Sequence, residues 1–158
     1  MSQPAPSQFQ PRQILCLEHE QSKLYAEVIQ VVSDRPVCWL RPMILEVEIS
    51  PNLLPNPDLA TSSQNYHPTD FPYQTTTSKT TQEAPQETTQ PKTYDLRLSA
   101  DLLLPPSLFR PALDTEVIPL LGQINSTEFN LEEAQNAHHL LRDFIRKIWQ
   151  QYREAFPS

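Results

Sequence analysis

From Pro51 to Lys92 the chain has almost nothing to bury, and that block limits what the rest can fold into. It opens on Pro51-Asn52-Leu53-Leu54-Pro55-Asn56-Pro57, whose two leucines suit local packing only. From Thr61 onward Thr, Gln, Ser and Pro dominate, as in Gln74-Thr75-Thr76-Thr77-Ser78-Lys79-Thr80-Thr81. Such a composition does not offset an ordering entropy of roughly 1–2 kcal/mol per residue, so the block is expected to be disordered. Tyr66, Phe71 and Tyr73 are read as loose aromatics within it. Residues 1–11, polar and Pro-rich, carry the same expectation. The apolar residues concentrate in Ile14–Ile49, Tyr94–Ile124 and Leu131–Phe156. These support one α+β domain over residues 12–158, with the insert, about 51–92, as an elongated loop between two of its strands. A core of that size is marginal for a monomer, and a homodimer is a natural supplement.

Gly122 is the only glycine, against 17 prolines. A phosphate-cradling loop or dinucleotide fingerprint needs several glycines for close backbone approach, and none can be built here. Tight Asn-Gly hairpins are excluded as well. The formal net charge of −7 argues against direct nucleic-acid binding, which needs a basic field. Cys16 and Cys38 lie in apolar runs and read as buried reduced thiols. Neither a signal peptide nor a run long enough to span a membrane is visible, so the cytoplasm is the expected location. His19, His67, His138 and His139 show no metal-ligand spacing. Glu46/Glu48 and Glu132/Glu133 suit a strand edge and a helix start. With no nucleophile elbow either, no catalytic, metal or cofactor residue is assigned, and the chain is expected not to be an enzyme.

The first strand is expected over Arg12–Glu18, with Ile14, Cys16 and Glu18 alternating against Leu15 and Leu17. Lys23–Val32 and Val37–Ile49 read as a long antiparallel hairpin, turned by Ser33-Asp34-Arg35-Pro36. Pro42 cannot donate to a ladder, so the third strand should bulge or lie at an edge there. Tyr94, Leu96 and Leu98 alternate as a further strand. Ser107–Asp114 reads as a turn or a single helical turn. Pro119 is expected to prevent a long helix over Thr115–Ile124, favouring a loop, a helical turn or a short strand. Asn130 caps a final amphipathic helix, with Glu133 in the capping-box position and Phe129 as a staple. Its apolar face runs through Ala134, Ala137, Leu141, Phe144, Ile148 and Tyr152, widened by Leu140, Ile145 and Trp149. The expected architecture is a small curled antiparallel sheet or partial barrel with a long C-terminal amphipathic helix.

One stretch has ligand-binding chemistry. In an extended strand Val37, Trp39 and Arg41 share a face, with Arg35 at the turn below. Guanidinium groups fork onto phosphate or guanine edges, and an indole stacks on a base. Arg97 and Phe109-Arg110 form a second set of the same type. A single tryptophan in a small domain is as readily a packing residue, and an arginine beside proline a surface charge.

The runs Leu24–Val32, Cys38-Trp39-Leu40-Arg41-Pro42, Asp95-Leu96-Arg97 and Ser107–Val117 resemble a family of small conserved cyanobacterial proteins. That family includes a cyclic-di-GMP receptor linked to cell size. The resemblance covers most of the chain outside the insert. It implies a non-enzymatic signalling effector that binds the dinucleotide and relays the signal to a protein partner such as a transcription factor. Arg35, Arg41, Arg97 and Arg110 would meet phosphate or guanine, Trp39 and Phe109 would stack, and Asp34 or Asp95 would accept from guanine N–H groups. The better-known receptor patterns are missing: Arg97/Asp101 and Arg110/Asp114 are each one residue too long for Arg-x-x-Asp. The alternative is a ligand-independent adaptor that docks a partner on the C-terminal helix around Trp149 and Tyr152.

Overall fold

The computed structural model describes residues 9–49 and 91–156. The disorder expected between Ser50 and Gln90 and before Phe9 lies outside the described residues. Among those described, six strands pair antiparallel: β1 (Ile14–His19), β2 (Ser22–Val31), β3 (Cys38–Glu48), β4 (Pro91–Asp95), β5 (Leu102–Leu104) and β6 (Arg110–Pro111). The sheet order is β4-β3-β2-β1-β6, and β5 joins β3 on the same edge as β4. The fold is α+β with an open sheet, so the barrel alternative does not apply.

The β2–β3 hairpin forms as its β-branched and aromatic content requires, closed by Val32 N–H donating to the Val37 carbonyl at 3.2 Å. β3 is central, yet Pro42 is tolerated because the strand bulges beside it. Ala26 pairs with Pro42 and Tyr25 with Ile44, leaving Met43 as the extra residue. Along its other edge β3 meets β4 from Ile44 and β5 up to Leu40. Pro42 therefore sits in the gap between two ladders, where a missing N–H costs least. In that gap the Met43 carbonyl accepts from Leu96 N–H at 2.9 Å.

Strict alternation sends neighbouring residues to opposite faces. Leu15, Leu17, Leu24, Ala26, Val28, Leu40 and Leu45 pack on one side with Ala137, Leu141, Phe144 and Ile148 of α2 (Leu131–Gln151). Cys16, Tyr25 and Ile44 pack on the other with Val117, Leu120 and Ile124 of α1 (Asp114–Ser126). The protein thus has three layers, helix on sheet on helix.

Five expectations are corrected. Thr115–Ile124 is helical despite Pro119. Pro119 deletes only the ladder bond to Thr115, one turn into the helix and on its exposed side, while Val117, Leu120 and Ile124 repay the bend by burial. The N-terminal tail is ordered from Phe9, whose ring is buried in the α2-side core. Pro91 and Lys92, read as insert, belong to β4 and pair with Glu48 and Val47. Leu98 does not continue the β4 face: the strand ends at Asp95, and Leu98 is exposed. Asn130 does cap α2, its Oδ1 accepting from Glu132 N–H at 3.0 Å, but Phe129 projects outward and no staple forms.

Candidate functional site

The eight residues expected to bind a ligand are distributed over four places. Asp34 and Arg35 lie exposed on the β2–β3 turn. Trp39 and Arg41 emerge from β3 on the α1 side of the sheet, beyond the area that α1 covers, because Leu40 between them faces α2. Asp95 and Arg97 flank the end of β4. Phe109 is buried in the α2-side core, and Arg110 begins β6.

Three of the four arginines are engaged by carboxylates of the same chain. The Trp39 indole Nε1–H donates to Asp101 Oδ2 at 3.0 Å, and Arg41 Nε donates to the other oxygen at 3.4 Å. Asp101 thereby fastens the approach to β5 onto β3; sequence reading missed it because its partners lie 60 and 62 positions away. Arg97 donates through Nε and Nη2 to Asp95 at 2.8–3.2 Å and through Nη1 to Asn125 Oδ1 at 2.7 Å. This ties the C-terminal end of α1 to β4. Partial burial alone would raise the Asp95 carboxyl, but hydrogen bonds from the Arg97 side chain and backbone outweigh it and hold its pKa below the usual value.

Arg110 performs the corresponding task at the other end of α1. Its Nη1 and Nη2 donate to Glu116 at 3.0 and 2.8 Å, and Nη2 also donates to Glu18 at 2.7 Å. Glu116 in turn accepts from Leu113 N–H at 3.0 Å, completing half of a capping box. The Arg110 bonds, aided by that N–H, hold the Glu116 pKa at about 2. Arg35 is the one of the four whose side chain has no hydrogen bond or ion pair among the described residues; its carbonyl accepts from Val37 N–H at 2.7 Å. The four do not converge on a single pocket.

Both thiols are buried and free. Burial pushes Cys16 up to about 11 and raises Cys38 as well, so neither is poised as a nucleophile. Among the described residues no three His, Cys, Asp or Glu side chains gather as a metal set, and no helix is long and apolar enough to cross a membrane.

Concavity is found beside α2 instead. A cleft of about 740 Å³ lies between the Thr93–Ser99 segment, the α1–α2 connection and the first two turns of α2. Leu98, Phe129, Leu131 and Ala134 give it apolar surface; Asp95, Arg97, Glu128 and Glu133 supply charge. A second cleft of about 430 Å³ shares His138 with the first and continues along α2 past Leu102, Leu141, Ile145 and Trp149, rimmed by Arg142 and Arg146. The two form one groove along the helix. Of the predicted ligand residues, only Asp95 and Arg97 line it. Trp149 and Ile145 were legible from the width of the apolar stripe; Leu98 and Phe129 were misassigned to a strand face and a staple.

No family model, curated protein or solved structure matches the chain.

Proposed function

We propose that this protein is a non-enzymatic docking module that receives a protein partner in the groove along α2. One observation carries the reading. Leu98, Phe129, Leu131 and Trp149 are 77%, 71%, 63% and 49% exposed, although α2 already has a complete inward face in Ala137, Leu141, Phe144 and Ile148. The apolar surface along the groove is therefore surplus to the fold, and clustered apolar surface beside a helix is a recurring mode of partner recognition. The arginine contacts support the same reading, because Arg41 with Asp101, Arg97 with Asn125 and Arg110 with Glu116 each fasten one part of the scaffold to another. The test is affinity capture with full-length bait, comparing wild type with Ile145→Glu and with Arg35→Ala/Arg41→Ala. Partners lost with the first variant and retained with the second support docking at the groove; partners retained with both overturn it.

Cyclic-di-GMP binding is a second reading, favoured by the place of Asp95 and Arg97. They line the larger cleft, next to the N-terminal end of α2 and the exposed Phe129 ring. Arg97 would turn toward a phosphate or guanine, Phe129 would stack, and Asp95 would accept from the guanine N–H edge. On this reading the chain is a second-messenger effector that relays occupancy of the cleft to a protein partner. Calorimetry with cyclic-di-GMP decides it. Heat that disappears in Arg97→Ala supports the site, and no heat at tens of micromolar ligand on folded protein removes the reading.

A further inference from the structure

The groove along α2 is polarised in charge. In the larger cleft the carboxylates of Asp95, Glu128 and Glu133 face one arginine, Arg97, which Asp95 and Asn125 already hold. The smaller cleft is the reverse. His138, Arg142 and Arg146 line it around apolar Leu102, Leu141, Ile145 and Trp149, and no carboxylate belongs to its described wall. Arg153 adds a third guanidinium at the same end, 4.8 Å from the centre of the Trp149 ring. In a chain with 19 acidic residues against 12 Lys and Arg, this grouping reverses the prevailing charge.

Two features leave these cations open to an outside acid. Asp101 stands between Ala100 and Leu102 of the cleft wall, yet its carboxylate is turned to the α1 side of the sheet, where Trp39 and Arg41 donate to it at 3.0 and 3.4 Å. Arg142 has no ion pair among the described residues. Arg146 has only Asp143, one turn back at 3.6 Å, and both side chains are largely exposed, so water competes with that pair.

From this we infer that the smaller cleft receives an acidic segment of a partner protein. One apolar side chain enters between Leu102, Ile145 and Trp149, while flanking Asp or Glu side chains meet Arg142, Arg146 and Arg153. The inference rests on the docking reading and names the chemistry of the partner. Tryptophan and arginine are the residue types that carry most binding energy at interfaces, and guanidinium–carboxylate bonds are the strong ones. Arg142 and Arg146 lie one turn apart, about 6 Å along the axis, close to the ~6.6 Å between alternate residues of an extended segment. A concavity of about 430 Å³ suits an inserted side chain, whereas a bilayer presents a flat surface.

Panning a displayed library of random peptides on the whole chain tests this. The selected sequences should combine clustered Asp and Glu with an aromatic residue or leucine. Fluorescence anisotropy with a synthetic copy of the leading sequence should show binding that weakens with added salt. Arg142→Glu/Arg146→Glu should weaken it by about tenfold or more, equivalent to roughly 1.4 kcal/mol, with circular dichroism reporting the fold. Exchanging the peptide's acids for Asn and Gln should cost as much, and Arg35→Ala should cost nothing. Selection of neutral or basic sequences, or of none, overturns the inference. So does an affinity indifferent to the arginine reversal, or lost equally in Arg35→Ala. Binding to vesicles containing phosphatidylserine, with no peptide bound, assigns the arginines to a membrane surface and overturns it too. A partner captured through Ile145 but unaffected by Arg142→Glu/Arg146→Glu removes the acidic partner and leaves the docking reading intact. A partner indifferent to both substitutions removes both.

Discussion

Arg110 and Glu116 meet fork to fork, the two guanidinium nitrogens donating to the two carboxylate oxygens at 3.0 and 2.8 Å. The pair joins β6 to the first turn of α1, and Glu18 of β1 adds a third bond at 2.7 Å. It is the contact by which the sheet holds the start of the helix that covers its second face.

Removing that contact should loosen α1 without dissolving the sheet. Arg110→Ala is expected to cost about 1–2 kcal/mol, the partial exposure of both groups keeping the figure low. Because Glu116 titrates below its ordinary value, its share of stability is complete above pH 4.5 and is lost as pH falls toward about 2. Acid titrations of wild type and Glu116→Gln should therefore converge below that window and separate above it. Parallel curves across the whole range would refute the assignment.

The thiols offer a second check. With Cys16 raised to about 11 and Cys38 also raised by burial, neither should react with a thiol reagent at pH 8 in the native protein. Both should react at once in denaturant. Each group favours the folded state fully below its unfolded pKa, so the stability tied to Cys16 should fall as pH climbs from 9 toward 11. Rapid native labelling would contradict the buried placement.

Asp101→Ala should free the Trp39 indole and the Arg41 side chain together. The expected signature is a shift in tryptophan emission and faster amide exchange in β5, with a stability loss of about 1 kcal/mol. Trp149 contributes to the emission as well, so the comparison is made in a Trp149→Phe background. Unchanged emission would mean that Asp101 does not hold the indole.

Excising Thr61–Gln90 should leave a folded protein. Glu48 and Pro91 are register partners, so the ends of the connection already meet in the ladder, and a shorter loop saves closure entropy. Thermal denaturation should show one cooperative transition within a few degrees of the parent. Loss of that transition would place insert residues in the core.

Much of this fold was legible because it follows from local pattern. Alternation in Ile14–Glu18 and in the hairpin assigned Cys16 and Leu15 to opposite faces, and the Asn130 cap marked where α2 begins. The misreadings share a cause. Pro119 argues against a helix only until the burial of Val117, Leu120 and Ile124 against Tyr25 and Ile44 is counted. Phe129 and Leu98 look like core residues by type and spacing, yet both stand exposed.

The site divides the same way. Residue type alone singled out arginines and aromatics, and those chemistries are present. Whether an arginine is free for a ligand depends on the acceptor that reaches it, and Asp101, Glu18 and Asn125 come from 60, 92 and 28 positions away. Periodicity, turn chemistry and the single glycine thus determined the first four strands, the long helix and the exclusion of a phosphate loop, while β5 and β6 were not legible. The second helical layer, the engagement of the arginines and the groove along α2 were decided by tertiary packing, since each depends on long-range pairings that no local window contains.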